Sequence, residues 1–110
     1  MITIDFGGNK KLSTPNITTA SVRHAYKESL NNSGNVCVQV IIEHENAKVS
    51  LSSGACGGSG SGKPIEAFSR EAQHIIKLWH KYNLNEDSFP FGKLVRFLKE
   101  LFKKFGIQLA

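Results

Sequence analysis

Apolar and polar positions alternate from the first residues of the chain. Ile2, Ile4 and Phe6 fall on one side, Thr3 and Asp5 on the other. A period of two predicts a short strand with one buried face, stopped by Gly7-Gly8. Residues 9–16 are polar, include Pro15 and read as a connection. Val22, Ala25, Tyr26 and Leu30 then recur at helical steps. The spacing predicts a helix to about Asn31, capped by Thr18 or Thr19 and ended by Ser33-Gly34.

From Val36 to Glu43 the alternation returns. Val36, Val38, Val40 and Ile42 share one face, and Cys37, Gln39, Ile41 and Glu43 share the other. The first set is expected to meet helices and the second to be partly covered. His44-Glu45-Asn46 reads as a turn, and Lys48 to Ser52 as the returning strand, with Val49 and Leu51 inward. A helix is expected within Ile65 to Tyr82, where Phe68, Ala72, Ile75, Ile76, Trp79 and Tyr82 repeat at steps of three and four. Residues 83–88 break it, and Asp87 or Ser88 is available to cap the next helix. That helix carries Phe91, Leu94, Phe97, Leu98, Leu101, Phe102 and Phe105. Gly106 suits its left-handed end, with Ile107 as the apolar residue that folds back.

The order is strand, helix, strand, strand, helix, helix. It predicts one α+β domain over residues 1–110, a small antiparallel sheet of about three strands packed against three helices. The expected core includes Trp79, Phe97, Leu98 and Leu101 over Val38 and Val40.

The stretch Ser52 to Pro64, SSGACGGSGSGKP, interrupts this pattern. In outline it imitates a phosphate-binding loop, with Gly57, four residues, then Gly62-Lys63. The next position should offer a hydroxyl for magnesium. It is Pro64, which has neither hydroxyl nor backbone N–H. Nor is there a second acidic strand to complete a metal site, since Asp5 and Glu43 sit in short strands. The segment 52–63 therefore reads as a flexible Gly/Ser-rich loop suited to partner contact.

Composition narrows the classes further. At 40% hydrophobic and 21% charged, the chain has enough apolar material for one small core. Its net charge is +5, and much of the excess is local: residues 93–104 carry five basic residues against one acid, Glu100. A basic face can steer nucleic acid, acidic lipid or an acidic protein. The opening residues lack the pattern of a secretory signal, and no run is long enough to span a membrane, so a cytoplasmic location is expected. Cys37 and Cys56 show no metal-binding or redox spacing. A disulfide between them is open from sequence, and Cys56 reads as an exposed loop residue.

Four histidines, His24, His44, His74 and His80, invite an acid–base reading, with Lys27 or Lys48 as neighbours in sequence. No spacing forces them together. His24 and Glu28 lie four apart on one helix face, but no pair has zinc-finger spacing. No catalytic residue, metal ligand or cofactor is assigned from sequence.

The segment Ile76-Lys77-Leu78-Trp79, with Gly92-Lys93-Leu94-Val95-Arg96-Phe97-Leu98 after it, resembles the C-terminal part of small immunity proteins of bacterial toxin–immunity pairs, including those of contact-dependent growth inhibition. The resemblance implies a cytoplasmic protein that binds and neutralises a cognate toxin without catalysis. Loops on a rigid scaffold are the expected contact surface. They supply His44, Glu45 and Asn46 at the hairpin tip, and Ser59, Ser61 and Lys63 in the glycine loop. Inhibitors of basic nucleases are commonly acidic, whereas this chain is basic. That leaves a toxin with an acidic surface, or a locally acidic contact patch of Glu43, Glu45, Glu86 and Asp87. The alternative is a nucleic-acid-binding protein or a small metal-independent ribonuclease toxin.

Overall fold

The computed structural model describes residues 1–7, 11–34, 36–44, 47–53, 70–86 and 89–110. Its elements are β1 (Ile2–Asp5), β2 (Lys11–Ser13), α1 (Thr19–Ser33), β3 (Gln39–His44), β4 (Ala47–Ser52), α2 (Arg70–Lys81) and α3 (Phe91–Lys104). The α+β class is as the pattern predicts. The strands form one antiparallel sheet in the order β2-β1-β3-β4.

The sheet has four strands where about three are expected. The additional strand, β2, lies in the stretch read as a connection. Its sequence Lys11-Leu12-Ser13 has no apolar alternation to announce it. Pairing with β1 makes it a strand, with Thr3 opposite Ser13 and Asp5 opposite Lys11. The hydroxyls of Thr3 and Ser13 share a hydrogen bond of 3.3 Å. The first strand thus pairs with both β2 and β3, at the centre of the sheet.

One face of the sheet is apolar and covered by the helices. Ile2, Ile4, Val40, Ile42, Val49 and Leu51 are buried, as are Phe6, Val36 and Val38 beside them. Opposite them lie Val22 and Ala25 of α1, Ala72, Ile75 and Trp79 of α2, and five residues of α3. Trp79 meets Phe97 edge-on, with ring centroids 5.2 Å apart at 81°. Such pairs contribute about 1 kcal/mol beyond area burial. The expected core residues are all buried. Leu30, which the spacing puts on the apolar stripe of α1, stands 42% exposed near the end of that helix. Phe68 lies outside the described residues.

The helix ends show how sequence sets each element. Thr18 caps α1 in a reciprocal box with Ser21, each side chain accepting from the other's backbone N–H. Gly34 ends α1 at a φ of 77°, a conformation that penalises residues with a Cβ. Two paired backbone bonds close α2: Asn83 N–H to His80 O, and Leu84 N–H to Trp79 O. Asn83 takes the left-handed conformation, and Leu84 folds back into the core. The same motif closes α3 through Gly106 N–H to Lys103 O and Ile107 N–H to Phe102 O. Gly106 and Ile107 thus play the backbone roles expected of them, although the Ile107 side chain is 42% exposed.

The start of α3 departs from expectation. Its cap position is Pro90, with no side-chain cap bond. Asp87 and Ser88 lie outside the described residues. Instead, the Tyr26 hydroxyl of α1 donates to Phe89 O at 2.6 Å, and its ring packs against Phe89 and Phe91. The Arg23 guanidinium sits 5.4 Å from the centre of the Phe91 ring. The entry to α3 is therefore held by α1 rather than by a local cap.

Cys37 is disulfide-bonded. The chain has one other cysteine, Cys56, which lies outside the described residues. Beside Cys37, the buried Ser53 hydroxyl donates to Val36 O at 3.2 Å and accepts from Val38 N–H at 3.0 Å. The chain leaving β4 is thus stitched to the backbone on both sides of Cys37.

Candidate functional site

The charge of this chain gathers on the outer face of α2 and the end of α3. Along α2, Arg70, His74, Lys77 and Lys81 recur at steps of four, three and four, and all are exposed. That spacing places them in one row on the helix surface. The opposite stripe, Ala72, Ile75 and Trp79, is buried against the core. The amphipathic pattern that anchors the helix therefore also fixes where its cations point.

The row meets a second helix. His74, Lys77, Leu78 and Lys81 of α2 and Lys104 of α3 line a shallow, open groove of about 400 Å³. Leu78 is its half-buried apolar member. One end of the joint is locked: the Tyr82 hydroxyl donates to Glu100 Oε2 at 2.9 Å. That bond is the first cause, and burial the second, of a Tyr82 pKa raised above its ordinary value. The lock engages Glu100, the acid one helical turn before Lys104, with Tyr82 rather than leaving it to face the groove. The Lys81 ammonium rests 5.3 Å from the Tyr82 ring centre. Among the described residues no carboxylate pairs with Lys77, Lys81 or Lys104. Lys99 and Lys103 extend the cationic surface on the other side of α3, where they line a second groove with residues 106–109.

Of the residues expected to contact a partner, His44 alone lies among the described residues. His44 is the last residue of β3, opposite Ala47 across the hairpin. Glu45 and Asn46, and Ser59, Ser61 and Lys63 of the glycine loop, lie outside the described residues. Of the expected acidic patch, Glu43 and Glu86 are among the described residues. Glu43 is exposed but stands opposite Lys48, while its carbonyl accepts from the Met1 ammonium at 2.6 Å. Glu86 is exposed beyond the end of α2. Glu45 and Asp87 are not among the described residues.

The histidines do not assemble an acid–base pair among the described side chains. His24 lies on α1, 77% exposed, with its Nε2 3.2 Å from Glu28 Oε2. His74 and His80 are both exposed on α2 but six positions apart, so they project in different directions. Among the described residues His74 is the one histidine lining the groove, and no carboxylate joins it there. Among the described residues no three His, Cys, Asp or Glu side chains gather as a metal site. No helix among them is long and apolar enough to cross a membrane.

The basic run at residues 93–104 stands out in the sequence, whereas the row on α2 does not. The signal for that row was present in the 70, 74, 77, 81 spacing. The contribution of Lys104 was not, because it depends on how α2 and α3 pack. Comparison with known protein families, with curated proteins and with solved structures finds no match.

Proposed function

We propose that this chain is a protein-binding module that neutralises a cognate toxin without catalysis, as its likeness to immunity proteins implies. The observation that carries this reading is the unbalanced cationic groove on a rigid two-helix face. Packed helices joined by Trp79, Phe97 and the Tyr82–Glu100 bond present these charges with little ordering cost on binding. The described histidine side chains, by contrast, are spread over α1 and different sides of α2. Of the two ways to reconcile a basic inhibitor with its target, the groove favours a toxin with an acidic surface. Opposite charges speed capture and orient the encounter.

The test is genetic and biochemical together. The product of the neighbouring gene is expressed alone and with this chain. The expected outcome is growth arrest that co-expression relieves, with the two proteins purifying as a complex. A neighbour that is neither toxic nor bound contradicts the proposal.

One feature favours the ribonuclease reading: His74 stands among three lysines, a histidine beside groups that hold phosphate. That reading predicts cleavage of labelled RNA, abolished by His74→Ala. Intact RNA after prolonged incubation at low salt removes it.

A further inference from the structure

We infer that the α2–α3 groove receives an acidic segment of a protein partner, with carboxylates on either side of an apolar side chain. The inference rests on the protein-binding reading and specifies its surface. Three ammonium groups, Lys77, Lys81 and Lys104, surround Leu78, with His74 at one end. An apolar centre with a charged rim is the anatomy of a protein interface. The rim asks for carboxylates, and the half-buried leucine asks for an apolar side chain that excludes water from them.

The arrangement is built rather than fortuitous. Trp79, the neighbour of Leu78, is 2% exposed and anchored on Phe97, so the backbone carrying Leu78 is fixed from behind. Tyr82 keeps Glu100 engaged at the edge of the joint. Without that bond, the Glu100 carboxylate would be available to Lys104 one helical turn away.

A nucleic acid is the competing occupant, and the face lacks what a single strand needs. Binding of unpaired bases uses exposed rings as stacking platforms. Among the described residues the large exposed apolar side chains are Met1, Leu30 and Ile107, none of them aromatic. Tyr82 is half-buried with its hydroxyl committed to Glu100. The apolar member of the groove is a leucine, which suits a partner side chain better than a base.

The experiment measures fluorescence anisotropy of a labelled peptide of glutamates and leucines, and of a labelled single-stranded RNA of equal charge, against the full chain at low and moderate salt. The expected result is saturable peptide binding, weakened about tenfold or more by Lys77→Glu and by Lys104→Gln, equivalent to about 1.4 kcal/mol. Leu78→Ser weakens it as well. Lys27→Glu, an exposed charge reversal on α1, leaves it unchanged. All four variants change exposed or half-buried side chains, and their melting curves are expected to overlay that of the parent.

Absence of saturable peptide binding, equal loss with Lys27→Glu, or tighter binding of the RNA each overturns the assignment. The immunity reading fails separately. If the chain still relieves toxicity when Lys77 and Lys104 are replaced, the groove assignment falls and the immunity reading stands. If no neighbouring toxin exists but Lys77-dependent peptide binding holds, the groove stands and the immunity reading falls.

Discussion

The two surfaces of this domain treat charge in opposite ways. On the other face of the sheet, opposite charges stand in register across the strands. Asp5 stands opposite Lys11, and Glu43 opposite Lys48. Thr3 bonds Ser13, and the Gln39 amide donates to Ser52 Oγ, both at 3.3 Å. On the outer face of α2 and α3, Lys77, Lys81 and Lys104 share a groove with no acid among its described lining residues. Cross-strand pairs of opposite charge stabilise a sheet modestly and leave little long-range field. Like charges gathered on adjacent helices repel one another, and the repulsion is relieved when a partner supplies the opposite sign. On the proposed reading, the sheet face is complete in itself and the helical face is the one that takes a partner.

The helical face depends on the core behind it, so the most severe way to break the contrast is to remove that support. Trp79→Ala is expected to cost about 3–5 kcal/mol, most of the stability of a small domain. Thermal melting should lose its cooperative transition near room temperature. Trp79→Phe sharpens the point. The indole N–H is buried and has no hydrogen-bond partner among the described residues, so replacing the ring with a smaller apolar one should cost distinctly less. If the two variants melt alike, packing around Trp79 is not what holds the face.

The sheet side has its own fastening at Cys37. Reducing the disulfide, or Cys37→Ser, is expected to cost about 2–4 kcal/mol, seen as a lower melting temperature with reductant. A melt indifferent to reductant contradicts a stabilising disulfide. Such a bond persists in oxidising surroundings and is reduced by cytosolic thiols, so the same measurement bears on the cytoplasmic expectation. Ser53→Ala should cost about 1–3 kcal/mol, because Val38 N–H loses its acceptor inside the core. Urea denaturation at constant slope checks it.

Tyr26 couples α1 to α3, and its effect is the smallest and depends on pH. Burial raises its pKa above the ordinary value of 10.0. The unfolded chain therefore loses this proton more readily than the folded one. The contribution to stability is fully present below about pH 10 and is lost as pH rises through the folded value. Tyr26→Phe should remove that alkaline dependence and cost about 1 kcal/mol at neutral pH, from the lost bond to Phe89. Melting temperatures between pH 8 and about pH 11 test the sign, given the ordinary tyrosine range.

Much of the frame was legible because it rests on local periodicity. The alternation at Val36–Glu43 and Lys48–Ser52 gave the hairpin, and steps of three and four gave α2 and α3. Gly34 and Gly106 marked helix ends by the conformation that only glycine adopts freely. The misses share another cause. Lys11–Ser13 is a strand because β1 pairs with it, not because its own residues alternate. The entry of α3 is held by Tyr26, more than sixty positions earlier in the chain. A two-cysteine sequence without motif spacing carries no rule for pairing. The groove was half legible: the row on α2 is written in its spacing, while Lys104 joins it only through helix packing.

The central claim is that an acidic partner docks on the helices and not on the sheet. Amide chemical shifts of the full chain, titrated with the glutamate–leucine peptide, test it most directly. The account predicts that residues 74–81 and the end of α3 around Lys104 shift together and saturate, while Thr3, Asp5, Ile41 and Ser50 stay still. Shifts centred on the sheet face, or spread evenly over both surfaces, would contradict it.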